Sequence, residues 1–181
     1  EKLIRSNGNY KSLLCYKKAN TIFLLTYYFC EHYLSKGDRT IDQMVQAARR
    51  SGKQNIVEGC EAAPTSAKTE IKLINVAKAS LKELLEDYED YLGSRGHRQW
   101  EKGSKEYEAM RQLGMTHNDA DFFMRIAETR PPQTIANMAI ILLNQTDYLL
   151  HRLLKRLSEK FMQEGGFSER MMRLRKDRRG F

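Results

Sequence analysis

The sequence predicts an all-α fold: an antiparallel up-down four-helix bundle with a helical insertion between the third and fourth helices and a basic C-terminal extension. Three observations predict it. Apolar side chains recur at steps of three and four along four long segments. Only 3 prolines interrupt 181 residues. Charged residues make up 30% of the chain and apolar ones 41%, enough charge to solvate the outer faces of long helices. The length suits one domain with a substantial core, here residues 1–165 with the insertion at 93–130, followed by the extension at 166–181.

The first helix is read from Leu13, Tyr16, Phe23, Tyr27, Cys30 and Leu34, one stripe broken only by Asn20. Leu14, Leu25, Tyr28 and Phe29 lie off that stripe, so the helix needs a second covered face, and Ser35-Lys36-Gly37-Asp38 stops it. A monomer would have to expose those four side chains, which predicts self-association. Thr40 and Gln43 have the spacing of a capping box and open a second helix carrying Ile41, Met44, Val45, Ala48 and Ile56 to about Gly59. Pro64 breaks it. Thr65 or Ser66 then caps a third helix with Ile71, Ile74, Ala77, Leu81, Leu84 or Leu85, Tyr88 and Leu92 on one side. Beyond Leu92, Gly93, Gly96, Gly103 and Gly114 punctuate a polar insertion with short helices expected at 105–113 and 120–129. Pro131-Pro132 opens a long fourth helix through Ile135, Met138, Leu142, Leu149, Leu153, Leu157 and Phe161, ended by Gly165-Gly166.

Familiar catalytic chemistry is missing from these residues. No Glu has a His three residues on, as a di-iron bundle requires, and no zinc spacing, HExxH or P-loop occurs. Asp147 and His151, one turn apart, form either a structural pair or a shared metal contact; His32, His97 and His117 are isolated. No cofactor or metal is expected, and the reading is of a protein that is not an enzyme. Cys15, Cys30 and Cys60 are odd in number and show no CxxC, which reads as buried free thiols in a reducing compartment. No apolar run reaches the ~20 residues of a membrane span. Glu1 to Arg5 do not build a signal peptide, so the cytoplasm is the expected location.

What remains is charge. The chain carries a net +8, and residues 166–181 hold Arg170, Arg173, Arg175, Lys176, Arg178 and Arg179 against Glu169 and Asp177, half of the excess. A second basic band, Arg49, Arg50 and Lys53, lies near the end of the second helix beside Asn55 and Glu58, three apart on one face. The band is either an anion or RNA contact or a solvated helix face, with Asn55 and Glu58 a buried polar pair setting register. The tail interleaves its cations with Met171, Met172 and Leu174 between Phe167 and Phe181. It reads as a nucleic-acid arm, as a solvated or packed terminus, or as a membrane-surface segment weakened by Asp177.

A resemblance adds to this reading. Ser51, the run Asn55-Ile56-Val57-Glu58-Gly59, then Thr65, Glu70, Ala77 and Ser80-Leu81-Lys82-Glu83-Leu84 resemble the signature of the four-helix-bundle family of 23S ribosomal RNA intervening-sequence proteins. The likeness is specific over 43–92 and one of pattern in the first and fourth helices. The insertion and the C-terminal extension make the chain similar to the suffix-bearing branch. The resemblance implies a homopentameric bundle with a basic surface for nucleic acid, in which Asn55, Glu58, Gly59, Ser80 and Glu83 are structural motif positions. A related accessory protein of diversity-generating retroelements is similar, which implies a reverse transcriptase as a further partner. The expected function is therefore an oligomeric accessory factor that binds RNA or DNA. A protein scaffold without a nucleic-acid role is the alternative, and a bundle holding a small molecule or metal comes third.

Overall fold

The computed structural model describes residues 9–180. The reading of Glu1 to Arg5 as no signal peptide, and Phe181 at the end of the tail, lie outside them. The described residues form helices joined by turns and loops, without a strand. After a single 3-10 turn at Tyr10–Ser12 the helices are α1 (Leu14–Tyr33), α2 (Arg39–Gln46), α3 (Asn55–Ala62), α4 (Ala67–Ser94), α5 (Lys105–Thr116), α6 (Ala120–Ala127), α7 (Pro132–Glu164) and α8 (Phe167–Arg179); a π-helical segment, Ala47–Gln54, joins α2 to α3 without a break.

Local chemistry explains most ends. Asp38 caps α2 by accepting from the Thr40 N–H at 2.9 Å, so the expected capping box of Thr40 and Gln43 is corrected. Thr40 lies inside the helix, and the carboxylate two residues earlier satisfies the free donor. Ser66 rather than Thr65 caps α4, its hydroxyl accepting from Thr69 N–H at 3.2 Å. Ser104 and Asp119 cap the two insertion helices. Gly165, at φ 71°, ends α7 in a conformation that side-chain-bearing residues rarely adopt.

One hydrophobic core draws on α1, α2, the π segment, α3, α4, α5, α6 and α7. The longest helices, α4 and α7, pack on each other; α1 packs on α7 and on the π segment, and α3 and the π segment pack on α4. The stripe read on α4 is buried from Ile74 on, with Ile71 half-buried, the stripe on the first half of α7 is buried as expected, and Ile135 to Leu143 are buried without interruption. Nine consecutive buried residues mean that this stretch of α7 is enclosed on every side.

The stripe read on α1 is displaced. Of the positions read, Cys30 is buried, but Ala19, Ile22, Leu25 and Phe29 are the most enclosed, with Thr21 and Thr26 beside them, whereas Tyr27 is 52% exposed and Tyr16 and Phe23 are half-buried. Counting large apolar side chains favoured the flank because the central face uses Ala19, Thr21 and Thr26. Thr26 belongs there because its hydroxyl accepts from the Tyr88 hydroxyl at 2.8 Å, which offsets the cost of burying both.

The insertion closes back on the long helices, α5 against α7 and α6 against α1. It supplies Met110, Phe123 and Ala127 to the core. Leu25 and Phe29, expected to be exposed in a monomer, are fully buried within the chain; that expectation is corrected, because α1 is covered by α6, α7 and the π segment together. Tyr28 is half-buried, and of the four only Leu14, at 48%, stays exposed. Asn137 on α7 holds the start of the insertion: its Oδ1 accepts from Trp100 N–H at 2.8 Å and its Nδ2 donates to Arg98 O at 3.1 Å and Gln133 O at 2.9 Å. Replacing Asn137 by alanine strands the Trp100 donor and is expected to cost about 1–3 kcal/mol. Hydrogen exchange at Trp100 should accelerate in the variant, and unchanged protection there would remove the anchoring role.

Candidate nucleic-acid interface

The first basic group sits on the π segment. A π turn spaces its hydrogen bonds one residue wider than an α-helix and is often found at functional sites. Here Gly52 makes it possible: a Cβ at that position would lie 2.6 Å from Ala47 O and 2.7 Å from Leu81 Cδ2 on α4, so only glycine lets the widened turn settle against α4. Arg49 and Arg50 are exposed on this segment. Lys53 is not a third free cation: it is half-buried with its ammonium 5.1 Å from the Phe23 ring centre and 6.0 Å from that of Tyr16. Burial and then the neighbouring Arg49 push its pKa down, and the ring faces of α1 partly compensate.

The neighbouring motif residues are structural in more modest ways than a buried pair. Asn55 is half-buried and its Nδ2 donates to Ser51 O at 2.9 Å, within its own helix, while Glu58 is exposed. The expected Asn55–Glu58 register pair is therefore corrected. Gly59 faces Ile74, whose Cδ1 lies 3.2 Å from where a Cβ would stand. Ser80 is half-buried and Glu83 exposed on α4. Asp147 pairs with Lys78 across α4 and α7 at 3.1 Å, and His151 is exposed, which corrects the expected Asp147–His151 contact. His32 stacks on Tyr28 and His117 on Phe122, at ring-centre distances of 4.1 and 3.8 Å. Among the described residues no group of three or more His, Cys, Asp or Glu could hold a metal ion. The three thiols are free and buried; burial, chiefly, pushes Cys30 up to about 12 and Cys60 up to about 11, so both stay protonated near neutrality.

The tail forms α8, and its residues divide in two. Arg170 is 1% exposed, with its guanidinium 3.4 Å from Gly165 O, and Arg173 donates to Glu164 O at 2.7 Å. Cations at the carboxyl end of α7 satisfy carbonyls that the helix leaves unpaired. Arg170 is thus corrected from a nucleic-acid contact to a buried brace between α7 and α8. Glu169 helps from the other side, its carboxylate accepting from Gly166 N–H at the start of α8. Arg175, Lys176, Arg178 and Arg179 are exposed, as is the rest of Arg173.

The sequence reading missed a third group. Arg152, Lys155, Arg156 and Lys160 are exposed along the second half of α7, leading into α8. Their signal was present: cations at steps of three, one and four around Leu153, Leu154 and Leu157, a basic face beside an apolar one. The second half of α7 and α8, consecutive in the chain, carry these exposed cations and make up its cationic end, while Arg49 and Arg50 lie on the π segment.

The fold and this surface define the class as an all-helical protein presenting a basic exterior. Compared with protein-family models, with curated proteins and with solved structures, the chain has no match in any of the three. No described helix is long and apolar enough to cross a membrane.

Proposed function

We propose that this chain is a non-catalytic helical-bundle accessory protein that binds RNA or DNA through phosphate contacts, without strong sequence preference. In this reading α1, the α2–π–α3 rod, α4 and α7 form an antiparallel up-down four-helix bundle with α5 and α6 as the insertion, like the intervening-sequence proteins that residues 43–92 resemble. The observation that carries it is the run of exposed cations on α7 and α8: Arg152, Lys155, Arg156, Lys160, Arg175, Lys176, Arg178 and Arg179. Arg49 and Arg50 add a second patch. Lysine and arginine on helices that follow one another suit a phosphate backbone, which is read by charge and not by base edges. A cytoplasmic setting, self-association and a reverse transcriptase partner belong to the same proposal. For self-association the remaining support is the exposed Leu14, Tyr27, Val76 and Tyr148.

Filter binding of an RNA and of a duplex DNA at about 50 mM and about 200 mM salt tests the reading. Affinity that falls steeply with salt for both polymers is expected. Absence of binding at the lower salt would instead leave the cationic end as a solvated face or as a surface for an acidic protein.

A further inference from the structure

Lys18 sits in the middle of α1 with 6% of its surface exposed. Its ammonium donates to Gly114 O on α5, and no carboxylate among the described residues pairs with it. Two of its three N–H donors are left over. A buried cation without a counter-charge is costly, and mutual attraction with a partner is the usual compensation. Burial alone pushes the Lys18 pKa down.

Lys18 also lines a cleft of about 420 Å³ between α1, α5 and α7. The size falls within the range of small-molecule sites. Its walls are apolar, from Leu14, Tyr107, Met115, Ile141, Tyr148 and Leu149, and no Asp or Glu lines it. Leu14, Met115 and Tyr148, at 48%, 60% and 60%, are among the more exposed large apolar side chains of the protein. Arg111 at the rim is already held by Glu108 at 2.8 Å. Gln145, beside Gly114, donates to Arg111 O while its own Oε1 accepts nothing. An apolar cleft that ends on an ammonium without a counter-charge has the shape of an amphiphile site, and Gln145 Oε1, packed against Gly114, takes no part in it.

We infer that this cleft binds a small organic carboxylate with an apolar tail, the carboxylate on Lys18 and the tail along Leu14, Met115, Ile141 and Tyr148. The ligand supplies the missing counter-charge and covers the exposed apolar walls in one step. Arg152 reaches the edge of the site, its guanidinium 5.8 Å from the Tyr148 ring centre, but the inference does not depend on the nucleic-acid reading.

Octanoate is the probe and octan-1-ol its uncharged counterpart, titrated into the full chain by calorimetry. Octanoate is expected to bind saturably with a dissociation constant below about 1 mM, at least about tenfold tighter than octan-1-ol. Lys18→Met keeps the apolar stem and is expected to remove that tenfold preference while leaving octan-1-ol binding unchanged. Should Lys18→Met fold poorly, Met115→Glu at the exposed rim places a repelling charge without touching the core and, beyond the loss of apolar wall that both probes share, is expected to weaken octanoate more than octan-1-ol. Octanoate binding no tighter than octan-1-ol, or undiminished in both variants, would overturn the inference.

Discussion

Tyr88→Ala is expected to lower the stability of the chain by about 3–5 kcal/mol. For a chain of this length that is a drop of roughly 10 °C in the thermal midpoint, read by circular dichroism at 222 nm. Tyr88 is fully buried on α4, where it meets Phe29 of α1 edge-on at a ring-centre distance of 5.2 Å. Phe29 in turn meets Tyr91 at 4.7 Å, so the three rings join the two helices near one end of the core. Truncation removes a large apolar body, leaves a cavity among neighbours that cannot fully collapse, and strips Thr26 of its donor. Tyr88→Phe separates these effects: it keeps the ring and loses only the hydroxyl contact, for about 1 kcal/mol. The phenol is held neutral by burial, which pushes its pKa well up, so the stability it contributes does not change between pH 6 and 9. A midpoint unmoved by Tyr88→Ala would mean that α1 and α4 do not meet through these rings.

Replacing Arg175, Lys176, Arg178 and Arg179 together by glutamine is expected to reduce the salt slope of nucleic-acid binding by about 3.6 on duplex DNA, from roughly −0.9 for each phosphate contact. Over a fourfold rise in salt that slope corresponds to roughly a hundredfold change in affinity, so the variant loses most of its advantage at low salt. The four side chains are exposed, and their removal should leave the thermal midpoint within about 1–2 °C of the parent. Arg170 and Arg173 are left in place because they bond the carboxyl end of α7, and changing them would mix a structural loss with an electrostatic one. An unaltered slope would place binding elsewhere, and residual binding of the variant would measure what Arg152, Lys155, Arg156, Lys160, Arg49 and Arg50 supply.

How legible the molecule was in its sequence varies from element to element. On α4 the stripe read from Ile74 to Leu92 is also buried, because a long helix flanked by two packed partners must bury a continuous stripe, and that stripe is written in side-chain type. On α1 the same reasoning selected the flank. Its innermost face is made of small and hydroxyl-bearing residues, whose burial depends on Tyr88 and on the covering helices, none of them adjacent in the chain. The π segment left no periodic trace; only Gly52, meeting Ala47 O and Leu81, shows why the turn widens. The basic tail was visible as composition, but the burial of Arg170 was not, since it depends on where α7 ends relative to α8. The cleft at Lys18 is written in no local pattern: a lysine within an apolar helix becomes a candidate site only once Gly114 and Gln145, about a hundred residues on, close around it.

The sequence by itself determined that the chain is helical, where the helices now seen as α4 and α7 begin and end, and that its net charge is positive, because propensity, capping and charge act over a few neighbouring residues. The tertiary structure alone decided which cations are exposed and which are spent, that Leu25 and Phe29 are buried within the same chain, and that Lys18 is enclosed without a counter-charge. Those outcomes turn on desolvation and on contacts between distant segments, and such contacts exist only after the helices have packed.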